Sequence, residues 1–282
     1  MKLLRHGPKG SEKPALLDAN GVVRDLSGVV DDIAGAVLSP AGLRQLAALD
    51  TSTLPALGEG RIGARVGKVG KFICVGLNYA DHVKETGKAP PEEPILFMKA
   101  TTATNGPNDA VEIPRGPKKA DWEVELGVVN GARAKYVSED AALDHVEGYC
   151  VVNDVSERSF QSERGGQWTK GKSHDTFGPI GPWLVTRDEV ADPQNVGLWL
   201  DVDGVRRQTG NTNTMIFSVA FLVSYISQFM TLEPGDVIAT GTPPGVGMGI
   251  KPEPIFLRVG QIITLGIDGL GSQRQTTIAA GE

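Results

Sequence analysis

Apolar and polar positions divide the chain into many short segments. In "DWEVELGVV" (121–129), Trp122, Val124, Leu126 and Val128 alternate with polar positions, and a β-branched pair closes the run, so it reads as a β-strand. Strand side chains repeat every two residues, so Glu123 and Glu125 fall side by side on the opposite face. "KFICVGLNY" (71–79) and "VEGYCVVND" (146–154) are near-continuous apolar runs of strand length, expected to be buried. "PILFMKA" (94–100), "AVEIP" (110–114) and "GPWLVT" (181–186) predict further strands. Residues 197–210 and 261–278 predict strands and hairpins, and residues 15–30 a hairpin turning at Asn20-Gly21. Helix signals are fewer. Ser39-Pro40 pairs a capping serine with a proline suited to the first helical position. "ADHVKETG" (80–87) predicts a short helix ended by Gly87, and others are expected near 138–144 and after Val155. Residues 214–230 predict one long, largely buried helix, and "LEPGDVIATGTPPGVGMG" (232–249) a strand running into a Gly/Pro loop.

Composition narrows the class. The 282 residues include 36 glycines and 18 prolines with 40% hydrophobic residues, which fits a β-rich α+β fold with many turns and a sizeable core. The expected architecture is mixed strands curled into a roll or barrel. The glycine-rich, aperiodic stretch 51–70 suggests a boundary, with a small α+β module over 1–65 and the main domain over 66–282. Net charge is −6 and no basic run exceeds two residues, which argues against nucleic acid as a partner. The most apolar stretch (215–230) is too short to span a membrane and is interrupted by three serines. The N-terminal segment lacks the apolar core of a signal peptide, so a cytoplasmic protein is expected. Cys74 and Cys150 sit in apolar runs and are expected to be buried and reduced.

Candidate chemistry begins with the two glutamates. A solvated strand face is the ordinary explanation for Glu-x-Glu, but adjacent carboxylates become favourable when a divalent cation binds between them. Asp154 ends an apolar strand, where an acid has no packing role, and offers a third carboxylate. Three carboxylates with no Cys/His cluster point to Mg²⁺ or Mn²⁺. His82 and Glu85, at i and i+3, share a helix face, and a carboxylate beside a histidine orients the ring and raises its basicity. "TKGKSHDTFGP" (169–179) holds Lys170 and Lys172, either solvated or able to polarise a carbonyl or pair with a substrate carboxylate. Arg158 and Gln161, three apart, suit one pocket. Residues 239–249 lack the pattern of a phosphate-binding or dinucleotide loop, leaving Thr242 or backbone N–H groups as candidate substrate contacts. His6 and His145 are expected at the surface and His174 at a pocket edge. No Gly-x-Ser-x-Gly elbow is present.

Six stretches in order carry a resemblance: "CVGLNYADHVKE", "FMKATTATNGPNDAVEIP", "DWEVELGVV", "GYCVVNDVSER", "GKSHDTFGPIGPWLVT" and "LEPGDVIATGTPPGVG". Together, over about Lys71 to Ile278, they resemble the fumarylacetoacetate hydrolase superfamily, and in particular bacterial acylpyruvate and 2,4-diketo-3-deoxy-sugar-acid hydrolases, whose relatives often carry the label ureidoglycolate lyase. The resemblance implies a mixed β-roll, usually a homodimer, with Mg²⁺ or Mn²⁺ held at the positions of Glu123, Glu125 and Asp154. It implies catalytic roles for His82, Glu85 and Lys172, and substrate contacts at Arg158, Gln161, Thr242 and Tyr79. The implied substrates are small 2-keto acids and the implied reaction is hydrolysis of a C–C bond in a 2,4-diketo acid with release of pyruvate. Ureidoglycolate cleavage, oxaloacetate decarboxylation, isomerisation or hydration of keto acids, and a non-catalytic metal-binding relative remain open. Loops 84–94 and 205–214 are expected to shape the pocket, the first as a lid.

Overall fold

The apolar runs form the middle of a ten-stranded mixed sheet. The computed structural model describes residues 1–64, 66–116 and 118–281. From one edge to the other the main path is Val23–Asp25, Lys13–Leu17, Lys2–His6, Gly178–Thr186, Val146–Asn153, Val124–Asn130, Val237–Ala239, Phe72–Gly76 and Ile95–Lys99, with Thr104–Asn105 joining Gly178–Thr186 in parallel. Val124–Asn130, Val146–Asn153 and Phe72–Gly76 are buried along their whole length, as expected of central strands. A five-stranded sheet runs Val205–Asn211, Gly197–Val202, Ile262–Ile267, Gly271–Ala279 and Val111–Ile113. Val124, Leu126 and Val128 of the first sheet, Leu200, Ile263 and Leu265 of the second, and Leu222 and Ile226 of a helix share one buried apolar cluster. The sheets are open, and among the described residues no barrel closes.

Several elements differ from their sequence pattern for visible reasons. The 121–129 run is not one strand. Ala120–Asp121 pairs with Ser156–Glu157, and the ladder with Val146–Asn153 starts at Val124. Between them, side chains take the backbone N–H groups: Asp121 Oδ1 accepts from Trp122 N (2.8 Å) and Asn153 Oδ1 from Glu123 N (3.3 Å). The long helix is Val219–Phe229, not 214–230, because Asn78 draws off the preceding amides: its carbonyl accepts from Ile216 N and its Oδ1 from Phe217 N, each at 2.8 Å. Ser218 then caps the helix by accepting from Phe221 N. The helix Pro40–Ala47 has Ser39 as its cap and Ala80–Thr86 ends at Gly87 with φ +68°, as the pattern predicts.

The first three strands extend the main sheet through Lys2–His6, which pairs with Gly178–Thr186. The expected boundary falls on Arg65, outside the described residues. His6 and His145 are half-buried rather than at the surface, because His6 ends a paired strand and His145 Nδ1 is enclosed. No described helix is long and apolar enough to cross a membrane.

Candidate active site

The strand registers bring four element ends together. Val124–Asn130 is antiparallel to both Val146–Asn153 and Val237–Ala239, and the last is parallel to Phe72–Gly76. The start of the first strand therefore meets the ends of the other three. Past Phe72–Gly76, Leu77 adopts φ +55°, a sparsely populated conformation for leucine. Asn78 fixes this turn by donating to Thr240 O (2.8 Å) and Phe217 O (3.1 Å), and the helix carrying His82 and Glu85 follows.

Glu123, Glu125 and Asp154 meet here, each offering an oxygen within 4.8 Å of the others, and all are buried. Their surroundings differ. Glu123 accepts from Arg158 (2.6 Å) and from Lys172 Nζ (2.5 Å). Burial pushes its carboxyl up, but these two cations more than offset that and hold it well below the usual range. Asp154 accepts from Lys172 Nζ (2.7 Å), and Lys99 Nζ lies 2.5 Å from its other oxygen. Glu125 accepts a backbone N–H from Gly241 (2.9 Å). Burial, then the charges of Asp154 and Glu123, push its carboxyl well above the usual range. Lys172 and Arg158 stay charged, because burial lowers their affinity for the proton and the facing carboxylates raise it further. The donor set fits a hard divalent cation: three carboxylates, no sulfur, and one carboxyl, that of Glu125, which no side-chain cation contacts among the described residues. An ion held there would share Glu123 and Asp154 with the Lys172 ammonium.

A cavity of about 270 Å³ opens onto this centre and is lined by Glu123, Glu125, Arg158, Gln161, Lys172 and His82. His82 Nδ1 lies 2.9 Å from Glu85 Oε2, which leaves Nε2 without a bonding partner among the described residues. Glu85 is fixed in turn by Gly245 N, which donates to its Oε1 (2.9 Å). Gly249 permits this close approach: a Cβ there would stand 2.6 Å from the Glu85 carboxyl carbon. The rest of the wall is mainly apolar, with Leu77, Phe97, Trp168, Val246 and Met248, and also carries Thr86, Lys88 and Ser162. Phe97 lies under the Lys172 ammonium (5.0 Å) and against Trp168 (5.2 Å), so one aromatic wall runs outward from the charged centre.

The expected site residues sort as follows. Glu123, Glu125, Asp154, Lys172, Arg158, Gln161, His82 and Glu85 come together. Thr242 lines the cavity, but its hydroxyl is committed, donating to Val124 O and accepting from Gln208 Nε2, both at 2.8 Å. Tyr79 does not line the cavity; its ring is packed wholly in the core. Lys170 is exposed and reaches Arg164 O, and His174 packs its ring at a tilt against Phe177 and does not line the cavity. Two buried residues were not foreseen. Lys99 faces Asp154 and donates to Val155 O and Lys172 O. Asp121 accepts from Arg158 Nε (2.8 Å). A charge inside or opening an apolar strand, the signal that picked out Asp154, was present for both.

Comparison with known proteins identifies the family. Residues 71–278 match the Fumarylacetoacetate (FAA) hydrolase C-terminal family. A Burkholderia multivorans protein provisionally named a hydrolase is 66% identical over 281 residues, covering 99% of this chain and all of the relative. Among solved structures, fumarylacetoacetate hydrolase from psychrophilic Exiguobacterium antarcticum is 35% identical with a TM-score of 0.85, covering 99% of this chain and 100% of that one. The 5-carboxymethyl-2-hydroxymuconate delta-isomerase of Mycobacterium smegmatis is 32% identical with a TM-score of 0.77, and maleylpyruvate hydrolase of Sphingobium sp. SYK-6, in complex with manganese (II) ion and pyruvate, is 26% identical with a TM-score of 0.82. Both cover 100% of each chain. The chain belongs to the fumarylacetoacetate hydrolase family.

Proposed function

We propose that this protein is a Mg²⁺- or Mn²⁺-dependent hydrolase that cleaves a C–C bond in a small 2,4-diketo acid and releases pyruvate. The observation that carries this reading is the placement of a three-carboxylate centre and a carboxylate-oriented histidine on one cavity. The manganese and pyruvate bound in the maleylpyruvate hydrolase structure support it. Glu123, Glu125 and Asp154 would hold the cation. When bound, the cation supplies Lewis acidity that draws charge from the keto oxygen. His82, with Nδ1 held by Glu85, takes a proton from water through Nε2. The water oxygen adds to the C4 carbonyl, the C3–C4 bond breaks, and C3 leaves with the electron pair as the enolate of pyruvate, which a proton then quenches. Lys172 and Arg158 present fixed positive charge to the substrate carboxylate and the developing oxyanion. The apolar side chains of Leu77, Phe97, Trp168, Val246 and Met248, which outnumber the polar Thr86, Lys88 and Ser162 on the same wall, support an acylpyruvate over a sugar acid. The family resemblance further supports a homodimer. Isomerisation of an unsaturated keto acid stands second, on the likeness to the delta-isomerase.

The test is product release from an acylpyruvate, a 2,4-diketo-3-deoxy sugar acid, oxaloacetate and ureidoglycolate, each with Mg²⁺ or with EDTA. Metal-dependent pyruvate from the acylpyruvate is expected. His82→Ala should slow that turnover by roughly 10²–10⁴. Turnover of oxaloacetate or ureidoglycolate alone would replace the reaction with a decarboxylation or a lyase cleavage. Near-normal turnover in His82→Ala would remove the histidine from its role.

A further inference from the structure

Asp121 is fully buried, and its two carboxylate oxygens take four N–H groups from three separate places. Oδ1 accepts from Trp122 N (2.8 Å) and Gly247 N (2.6 Å). Oδ2 accepts from Met248 N (3.0 Å) and Arg158 Nε (2.8 Å). One carboxylate therefore ties the Arg158 guanidinium to the Gly/Pro loop. With Nε held, the remaining edges of Arg158 reach Glu123 Oε1 (2.6 Å) and Gln161 Oε1 (3.1 Å), both on the cavity wall. The other half of the link is the loop. Gly245 N holds Glu85, Trp122 Nε1 donates to Gly245 O (3.1 Å), and Val246 and Met248 line the cavity. A continuous chain of contacts thus runs from Arg158 through Asp121 to residues 245–248, then through Glu85 to His82.

We propose that Asp121 is a positioning residue that couples recognition of the substrate carboxylate at Arg158 to the loop that holds the Glu85–His82 pair. The inference rests on the keto-acid reading of the cavity. A substrate carboxylate that engages Arg158 draws on the same guanidinium that Asp121 anchors, so the loop amides on the same carboxylate feel its position. A fixed fork is also what allows Arg158 to meet a carboxylate without first losing side-chain freedom. A neutral amide at position 121 keeps the volume and one acceptor oxygen but loses the charge opposite Arg158 and offers hydrogens to the N–H groups that Oδ2 now receives.

The experiment measures pyruvate affinity in the presence of saturating Mn²⁺, Mn²⁺ affinity alone, and kcat and KM with an acylpyruvate. The proteins are the parent, Asp121→Asn, Arg158→Lys and the double variant. Arg158→Lys keeps the charge but removes the Nε–H, so it breaks the same link from the other side even if Asp121→Asn folds poorly. In each single variant pyruvate affinity should fall at least about tenfold. Mn²⁺ affinity should stay within about threefold in Asp121→Asn, which touches no carboxylate of the metal centre, whereas Arg158→Lys also removes a donor to Glu123 and should weaken Mn²⁺ further. The double variant should lose little more pyruvate affinity than the more damaging single, because Asp121 acts on the substrate through Arg158. kcat should fall along with pyruvate affinity, since the loop also sets Glu85. A plain structural clamp would lower the melting temperature and leave the pyruvate-to-Mn²⁺ contrast and kcat unchanged; that result, or additive losses in the double variant, overturns the coupling. A parent protein that binds Mn²⁺ but not pyruvate overturns the keto-acid reading itself, and the coupling with it.

Discussion

The strand Val146–Asn153 has a buried acid near each end, and the two are treated in opposite ways. Asp154, just past its last residue, faces the ammonium groups of Lys172 and Lys99. Glu147, near its start, is also buried but has no hydrogen-bond or ion-pair partner among the described residues. Burial, partly relieved by Arg187 and reinforced by Asp188, pushes the Glu147 carboxyl up to about 7. One end of the strand thus meets the cost of a buried charge with fixed cations, and the other lets a proton remove it. The difference shows where charge is to be used. Glu125 sits between the two cases: it lies within the compensated end, yet a single backbone N–H is its own contact. The charge it needs is the one a divalent ion would bring.

Neutral isosteres at the two glutamates separate these cases and carry the largest expected effect. Glu123→Gln leaves Arg158 and Lys172 buried with one partner fewer, and should destabilise the metal-free protein by about 3–5 kcal/mol in urea unfolding. Glu125→Gln replaces an uncompensated acid and should leave the metal-free protein at least as stable as the parent. Both should weaken Mn²⁺ binding by no less than the roughly 10–100-fold that loss of an outer-shell partner costs. Equal destabilisation by the two substitutions would show that Glu125 is already compensated.

Lys99 extends the comparison to a residue whose role is support. Lys99→Met keeps the length but strips Asp154 Oδ1 of its cation and leaves the Val155 and Lys172 carbonyls without their donor. A loss of about 3 kcal/mol is expected, with about a tenfold drop in Mn²⁺ affinity. Melting curves with and without Mn²⁺ read both, because an ion bound only by the folded protein raises the midpoint by mass action. An unchanged Mn²⁺-induced shift would show that Asp154 needs no help from Lys99.

Much of this centre was legible in the sequence, because an acid at the end of an apolar strand has no packing reason to be there. Asp154 stood out on that ground, and the alternation in 121–129 placed Trp122, Val124, Leu126 and Val128 in one cluster, as observed. Lys99 carries the same signal more weakly, since a lysine at a strand end can extend its stem and keep its head in water. Asp121 read as the first residue of a strand, when its carboxylate in fact replaces ladder bonds at the break. Tyr79 was misplaced because the pattern locates a residue between strand and helix but not the direction of its ring. The joining of Lys2–His6 to Gly178–Thr186 was not legible at all: alternation marks a strand and its buried face, while the partner is chosen by long-range packing.

The smallest effect tests the uncompensated end. Native Glu147 holds its proton up to about pH 7, whereas in the unfolded chain it is released near about 4.3. Between those values the native state binds more protons than the unfolded state, so stability falls as pH rises through the interval and levels off above it. The contribution is fully present below pH 4 and gone above pH 8. Glu147→Gln mimics the protonated acid at every pH. At pH 4 the variant and the parent should unfold at nearly the same urea concentration. At pH 8.5 the variant should be the more stable, by about 1–2 kcal/mol once solvent screening is allowed for. The measurement is the difference between the two proteins at each pH, which cancels every other titrating group, including the carboxylates at the far end of the strand. A difference that does not grow with pH would mean that Arg187 already neutralises Glu147, and the two ends of the strand would then be alike in how they keep a charge.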